Sequence, residues 1–230
     1  MSDKKKIEIR DLTKIYEDGV EVRALDGVDL DIEKGEFIAI IGPSGSGKST
    51  LLNMIGILDT PTSGTILLDG VDVTSASEKQ RSKIRNQKLG FIFQYHHLLP
   101  DFNAIENVMM PLLINGIKKS KAKKIACEML EEVGLYDRAN HRPNQLSGGQ
   151  NQRVAIARAL ANNPDIVIGD EPTGNLDSKA SDIIYDLLRK LNEEHYQTFI
   201  LVTHDERMAE KTDRIIRLVD GKIVENSKVE

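Results

Sequence analysis

A glycine-rich turn between an apolar strand and a helix is the feature that most restricts how this chain can fold. The apolar run Phe37–Ile41 predicts a buried strand, residues 42–49 read GPSGSGKS, and residues 49–57 are typical of a helix. Glycines let backbone N–H groups turn inward around phosphate oxygens, while Lys48 and the positive end of the helix dipole attract the same anion. The pattern therefore predicts a phosphate-binding loop, with a turn that binds nothing as the less favoured alternative.

The other apolar segments predict an α/β architecture around this turn. Apolar runs at residues 166–168 and 199–202 end at polar residues and are separated by helical stretches, which predicts a mostly parallel sheet with helices on both faces. Short alternating segments at residues 7–33 and 62–74, punctuated by glycines, predict a small antiparallel layer. Residues 95–152 are typical of helices, so we expect a helical insertion within one domain that spans residues 1–230.

The helical insertion carries its own start and stop signals. Asn103 and Glu106 form a cap pair before an apolar stretch that Pro111 is expected to interrupt, and residues 120–133 predict a second helix closed by Gly134. Lysines surround the start of the second helix, and a solvated helix face is a more favoured interpretation than a binding patch. These residues are Lys118, Lys119, Lys121, Lys123 and Lys124.

Composition excludes several other classes of protein. The 230 residues hold 31 Lys and Arg against 36 Asp and Glu, so the net charge of −5 disfavours a nucleic-acid binder. The single cysteine, Cys127, cannot form an intrachain disulfide, and no apolar run approaches the roughly 18 to 20 residues that span a bilayer. We therefore expect a cytosolic chain without direct membrane insertion, whose association with a membrane runs through another protein.

Two adjacent carboxylates follow the strand predicted at residues 166–168. Asp170 and Glu171 stand at its carboxyl end, where ligands bind in open α/β sheets. Successive side chains of a strand point opposite ways, so the two acids can have different tasks. We expect Asp170 and the Ser49 hydroxyl to hold Mg²⁺, and Glu171 to orient and polarise an attacking water as general base.

A second anion-binding helix start lies at residues 146–150, which read LSGGQ. Ser147 can cap the following helix with Gln150 three residues later, and Gly148 and Gly149 let backbone N–H groups approach an anion. With this segment the sequence resembles the ABC ATPase superfamily, whose signature is LSGGQ. The resemblance implies a phosphate-loop NTPase core of the ABC ATPase fold. It also implies a head-to-tail dimer in which each ATP lies between one subunit's phosphate loop and the other's signature.

The same resemblance assigns roles to single residues. Tyr16 stands where the family places an aromatic that stacks on adenine, although it can instead pack on the small sheet. Gln94 matches a glutamine that contacts Mg²⁺ and the attacking water, Asp177 an aspartate that reaches across the dimer, and His204 a histidine that contacts the γ-phosphate. The expected ATP-binding residues are Tyr16, Gly42, Pro43, Ser44, Gly45, Ser46, Gly47, Lys48, Ser49, Thr50, Ser147, Gly148, Gly149, Gln150 and Asp177.

The resemblance extends from Tyr16 to the carboxyl end. Two segments further indicate a subgroup of the superfamily. Residues 91–111 and 170–177 are similar to the group that serves lipoprotein release, macrolide or antimicrobial-peptide export, and FtsE-type systems. The group implies a subunit that binds ATP and Mg²⁺ and powers an integral membrane permease, with export or extraction from the membrane as the expected direction. A soluble ABC ATPase that regulates ribosomes or cell division is the alternative left open.

An apolar segment early in the insertion has two interpretations. Its side chains can form a docking site for the permease, since apolar patches on soluble proteins often mark partner sites, or they can fill the insertion's own small core. The residues concerned are Leu98, Leu99, Phe102, Met109 and Met110.

Overall fold

The computed structural model describes residues 5–229, which divide into two compact units. The first contains the described residues up to Ser82 together with those from Asn192 onward, and the second contains Lys83–Leu191. Within residues 5–229, no helix has both the length and the apolar character that crossing a membrane requires. In chain order the elements are β1 (Lys5–Asp18), β2 (Val20–Glu33), β3 (Phe37–Ile41), α1 (Lys48–Ile55), β4 (Ser63–Leu68), β5 (Val71–Asp72), α2 (Glu78–Lys88), β6 (Leu89–Phe93), α3 (Ala104–Ile114), α4 (Lys119–Glu132), α5 (Gly148–Leu160), β7 (Ile166–Asp170), α6 (Ser178–His195), β8 (Thr198–Val202), α7 (Glu206–Ala209), β9 (Arg214–Val219) and β10 (Lys222–Lys228), with 3-10 turns at Tyr136–Arg138 and Pro143–Gln145.

An antiparallel sheet in the first unit has the strand order β2-β1-β4-β5. Ile9 of β1 pairs with Leu30 of β2 on one side and with Ile66 of β4 on the other. All three side chains are buried, because alternate residues of each strand face the core. The small antiparallel layer predicted from the alternating segments is confirmed.

Four further strands of the first unit are hydrogen-bonded in the order β10-β9-β3-β8. β3 runs parallel to both neighbours, with Phe37 opposite Phe199 of β8, and β10 is antiparallel to β9. The rings of Phe37 and Phe199 lie 5.5 Å apart between centroids in the core. Every residue of β3 and β8 is buried, which explains why continuous apolar runs mark these strands in the sequence.

The second unit joins a parallel strand pair to a helical region. β6 and β7 pair from Leu89 opposite Ile166 to Phe93 opposite Asp170. Helices α3, α4 and α5 pack against one another, and α4 contributes the stripe Ala122, Ala126 and Leu130. Each of α3 and α5 begins with a capping box, as the cap signals in the sequence predict.

Helix α3 corrects the expectation for Pro111, because the helix continues through this residue to Ile114. Proline lacks the N–H that would bond the Asn107 carbonyl one turn earlier, so one intrahelical bond is lost at this position. The Pro111 carbonyl oxygen accepts from the amide nitrogens of Asn86 at 3.2 Å and Asn162 at 3.1 Å. These side-chain bonds and the capping box hold a helix that the sequence alone suggested would break.

Candidate functional site

The glycine-rich loop connects the carboxyl end of β3 to the start of α1. Gly42 has φ 150°, and a Cβ there would lie 2.1 Å from the carbonyl oxygen of Leu218, so only glycine fits. Gly47 has φ 101° and precedes α1 without any side-chain cap. The first N–H groups of the helix therefore remain available to an anion, as the loop pattern predicts.

The Lys48 side chain folds back onto the backbone of this loop. Its Nζ donates to the carbonyl oxygen of Gly42 at 2.9 Å and to that of Pro43 at 2.8 Å. Pro43, Ser44 and Gly45 at the tip of the loop are exposed. The ammonium group is thus held beside the exposed backbone to which a phosphate would bind.

Tyr16 lies against the first turn of α1. Its hydroxyl donates to Asp59 Oδ2 at 3.1 Å, its side chain also approaches Thr50, and Lys14 Nζ lies 4.8 Å from the ring centroid. Partial burial raises the pKa of the Tyr16 phenol above its ordinary value. Tyr16 as a whole stays 37% exposed, and its hydroxyl end is anchored by Asp59.

His204 leaves the same edge of the sheet as the phosphate loop. Val202 of β8 stands opposite Ile40 of β3, and the Thr203 N–H donates to the Ile40 carbonyl oxygen at 3.2 Å. Because the strands are parallel, His204 and Gly42 follow neighbouring strand ends. The His204 side chain is exposed. The first unit therefore brings the loop, Tyr16 and His204 to one region.

The second unit places Gln94 and Glu171 directly after paired strand ends, since Phe93 of β6 stands opposite Asp170 of β7. A Cβ on Gly174 would lie 2.7 Å from Gln94 Nε2 and 3.1 Å from Glu171 Oε2, so both side chains converge on this glycine. Glu171 has φ 45°, a strained left-handed conformation for a non-glycine residue. Such outliers concentrate at functional sites, where surrounding contacts enforce them.

Asn175 fixes Gln94 in this position. Its Nδ2 donates to the Gln94 carbonyl oxygen at 3.1 Å, and Gln94 Nε2 donates to Asn175 Oδ1 at 3.4 Å. The resemblance assigns Gln94 a role but does not indicate this partner. The two residues are far apart in sequence, and no local pattern signals the contact.

The signature segment forms a second cluster in this unit. Ser147 Oγ accepts from the Gln150 N–H at 3.3 Å, and Gln150 Oε1 accepts from the Ser147 N–H at 2.9 Å. Signature residues and residues 175–177 line a cleft of about 360 Å³. Asp177 begins α6, with its Oδ1 accepting from the Ala180 N–H at 2.8 Å. The structure thus brings Asp177 next to the signature, whereas Gln94 and Glu171 meet at Gly174.

Arg158 stabilises the chain just after Gln94. Its guanidinium donates to the carbonyl oxygens of His96 and His97, both at 2.7 Å. These histidines have φ 56° and 47°, two successive left-handed residues. The His96 imidazole also approaches the backbone of Gly148, and burial lowers the pKa of His96 below its ordinary value. No local pattern in the sequence signals a role for Arg158 or His96, and the structure shows His96 half-buried beside the signature.

A strand that feeds a phosphate loop, a strand that ends in two acids, and a capped LSGGQ helix together define a nucleotide-hydrolysing cassette. A family model described as "ABC transporter" matches residues 25–174, and the chain belongs to this family. It is an ATP-binding cassette that hydrolyses ATP.

Relatives of this chain match it over nearly its whole length. The lipoprotein-releasing system ATP-binding protein LolD of Legionella pneumophila (strain Paris) is 55% identical over 213 residues, which cover 92% of this chain and 94% of the relative. The protein of the same name from Pseudomonas syringae pv. tomato is 51% identical over 226 residues, covering 98% and 100%.

Solved structures show the same fold. The dimeric, post-hydrolysis ATP-binding cassette MJ0796 bound to ADP and Pi has a TM-score of 0.90 at 46% identity, covering 97% of this chain and 99% of that one. The cassette cbiO1 from Clostridium perfringens, part of the transporter complex cbiONQ, has a TM-score of 0.89 at 28% identity, covering 98% and 89%. The ABC ATPase fold expected from the sequence is confirmed.

Proposed function

We propose that this chain is the ATP-hydrolysing subunit of a lipoprotein-releasing system, and that it acts on the cytoplasmic face of a membrane through an integral membrane permease. The observation that carries this proposal is the 55% identity to a lipoprotein-releasing ATP-binding protein over 92% of the chain. Transport then consists of extracting an acylated protein from the membrane, driven by the cassette from the cytoplasmic side.

The chemistry is proposed residue by residue. The phosphate loop and Lys48 bind the β- and γ-phosphates, while Tyr16 stacks on adenine. Glu171 accepts a proton from the attacking water, which Gln94 helps to orient, and His204 contacts the γ-phosphate. The left-handed backbone of Glu171 and the Asn175 clamp on Gln94 support these roles, because both restrict the conformations of groups that must be positioned accurately.

The resemblance to ABC ATPases and the chemistry of the side chains indicate Ser49, Gln94 and Asp170 as the ligands of Mg²⁺. Each supplies an oxygen from a hydroxyl, an amide or a carboxylate, the ligands that this ion prefers. When bound, the ion neutralises charge that develops between the β- and γ-phosphates. We infer that these three residues hold it and that hydrolysis depends on it.

A head-to-tail homodimer is the proposed working assembly. The chain has two glycine-rich helix starts that can bind phosphate, at α1 and α5. The phosphate loop at α1 is expected to hold the nucleotide within one copy, which leaves the start of α5 free to contact a nucleotide held by another copy. We expect the signature cleft to close on ATP held by a second copy, with Asp177 beside it. The Glu171→Gln protein, which should retain ATP, is then expected to dimerise with ATP but not with ADP in size-exclusion chromatography with light scattering. An ATP-loaded variant that stays monomeric at tens of micromolar, with and without the permease, would contradict the dimer.

Docking to the permease is proposed at the loop before α3. Asn107 is fully buried and holds this loop: its Oδ1 accepts from the Leu99 N–H at 2.8 Å, and its Nδ2 donates to the carbonyl oxygens of Leu99 at 3.2 Å and Phe102 at 3.1 Å. Leu99 and Phe102 stay 39% and 38% exposed, whereas Met109 is buried in the local core, which is the second of the two interpretations given for this segment. The proposed docking surface therefore consists of a fixed loop with two exposed apolar side chains, Leu99 and Phe102.

Charge substitution in this loop tests the docking surface. Leu99→Glu and Phe102→Glu should lose capture of the co-expressed permease while basal ATP hydrolysis continues. Val224→Glu, which changes a 59% exposed side chain on β10, is the matched control and should retain capture. If both loop variants fold and still capture the permease, the docking surface lies elsewhere.

Reconstitution tests the function as a whole. The chain, co-purified with its permease and placed in proteoliposomes, should release an acylated lipoprotein to a soluble acceptor when ATP is added. The non-acylated form of the same protein is the control and should not stimulate ATP hydrolysis. Co-purification with ribosomes or division proteins in place of a permease would favour the soluble regulator instead.

A further inference from the structure

One surface of the second unit is strongly basic although the chain as a whole is acidic. We name residues 113–124 the α3–α4 tip, since they contain the end of α3, the connection and the start of α4. Residues 107–127 contain five lysines and no acidic residue. The chain as a whole has a net charge of −5. The local charge is therefore opposite in sign to that of the whole protein.

The tip presents its lysines and two apolar side chains together. Leu113 and Ile114 are 38% and 71% exposed, and Gly116, with φ 79°, has open space around it. α4 buries the stripe Ala122, Ala126 and Leu130, which leaves its lysines on the other sides of the helix. Exposed aliphatic groups beside a ring of lysines are typical of contacts with a membrane interface.

Pairing within the protein does not account for these charges. Lys124 approaches Glu128 at 3.9 Å, but in residues 5–229 no ion pair involves Lys118, Lys119, Lys121 or Lys123. Lys118, Lys119 and Lys121 also stand at the positive end of the α4 dipole, where cations are unfavourable, and neighbouring lysines repel one another. The arrangement lowers the stability of the isolated chain. An anionic surface outside the protein would offset this repulsion by pairing with the lysines. The exposure of all five lysines agrees with the solvated face favoured by the sequence, and an anionic partner would add a function to that face.

The end of α2 extends the basic surface. Gln87 Nε2 donates to Asn115 Oδ1 at 3.0 Å, which places this part of α2 directly beside the tip. Lys83 stands one turn before Gln87 on the same side of the helix and is exposed. Lys88 follows, with Asp165 as its partner at 3.1 Å. Two segments that are separate in sequence thus contribute positive charge to one surface.

We propose that the α3–α4 tip, together with Lys83, binds an anionic phospholipid bilayer directly. Flexible lysine stems around the exposed turn at Gly116 fit a fluid layer of headgroup phosphates better than one discrete anion, which would need a recess. Leu113 and Ile114 reach the interface between headgroups and acyl chains. The tip contains no aromatic side chain between Phe102 and Tyr136 on which bases could stack, which disfavours single-stranded nucleic acid.

This contact is separate from the proposed function. It needs neither ATP nor the permease, and its residues lie outside the ATP site and the Leu99–Phe102 loop. In a lipoprotein-releasing system it would orient the cassette on the membrane, in addition to attachment through the permease. Spanning or deep insertion is not part of the proposal.

Vesicle flotation of the purified full-length chain tests the contact. Vesicles of phosphatidylcholine alone are compared with vesicles of equal parts phosphatidylglycerol and phosphatidylcholine, at about 50 mM and about 500 mM salt, since screening weakens such contacts. We expect binding to the anionic vesicles at low salt only. The triple variant Lys118→Gln, Lys119→Gln, Lys121→Gln should partition roughly 100-fold less, because each lysine near an anionic surface contributes about a factor of 5.

A matched variant separates position from total charge. Lys5→Gln, Lys179→Gln, Lys222→Gln removes the same charge from exposed lysines elsewhere and should bind within a factor of about 5 of the parent. ATP hydrolysis without lipid should be the same in all three proteins. The proposal is overturned if the parent ignores anionic vesicles, if it binds neutral vesicles equally well, or if the tip and control variants lose binding alike. Binding to RNA or to an acidic peptide without any binding to vesicles would also overturn it.

Discussion

Gly174→Ala is expected to slow ATP hydrolysis without unfolding the protein. The new Cβ would lie 2.7 Å from Gln94 Nε2 and 3.1 Å from Glu171 Oε2, and both of these atoms are at the ends of flexible side chains. Gly174 does not have a positive φ, so alanine fits its backbone. The methyl group therefore displaces the two side chains that we propose orient and activate the attacking water.

The size of the effect follows from the displacement. To restore ordinary van der Waals contact, the Gln94 amide must withdraw by roughly 0.7 Å. Misplacement of a positioning group by about 1 Å costs about 10²-fold in rate, so we expect kcat to fall roughly 10- to 100-fold with little change in the KM for ATP. Stability should change by less than about 1 kcal/mol, because alanine restricts the unfolded chain and offsets part of the strain.

Phosphate release at saturating ATP measures the rate, and a thermal melt measures stability, where about 1 kcal/mol corresponds to a shift of about 2–4 °C. Asn175→Ala is the companion variant: it frees Gln94 from two hydrogen bonds but adds no atom that could clash with Gln94, so a smaller decrease is expected. A Gly174→Ala protein that melts normally and keeps kcat within twofold of the parent would refute the proposal that Gln94 and Glu171, positioned beside Gly174, act on the attacking water.

Two further variants test parts of the scaffold. Gly42→Ala places a Cβ 2.1 Å from the backbone carbonyl oxygen of Leu218 and should destabilise the protein by about 2–4 kcal/mol in urea unfolding; an unchanged midpoint would contradict the geometry of the loop. Arg158→Met removes two 2.7 Å bonds to the left-handed residues His96 and His97 and should cost about 2–4 kcal/mol, whereas a loss under about 0.5 kcal/mol would show that the loop holds itself.

Local signals made much of the fold and site predictable from the sequence. The strand, glycine turn and lysine around Gly42 follow one another in the chain, and each has a backbone requirement that few residues meet. The capping boxes at Asn103 and Ser147 depend on residues only three positions apart. Such short-range patterns determine local structure almost independently of the rest of the molecule.

Long-range side-chain contacts could not be predicted in this way. Asn107 looks like an ordinary polar residue of a helix, yet it is fully buried and bonded to the backbone of the preceding loop. The same helix buries Met109 and passes through Pro111, because neighbouring segments supply the packing and the hydrogen bonds. The Asn175 clamp on Gln94 is of the same kind, since its two residues are close only in the folded chain.

The most direct test of the central claim is phosphate release by the purified protein with saturating ATP and Mg²⁺, compared with the Glu171→Gln variant. The account predicts hydrolysis by the parent protein and a loss of about 10²- to 10⁴-fold in the variant, since a general base contributes about that much. Filter binding of labelled ATP should show that the variant still binds nucleotide. Turnover by the variant at the parent rate would remove Glu171 from the mechanism and contradict the account.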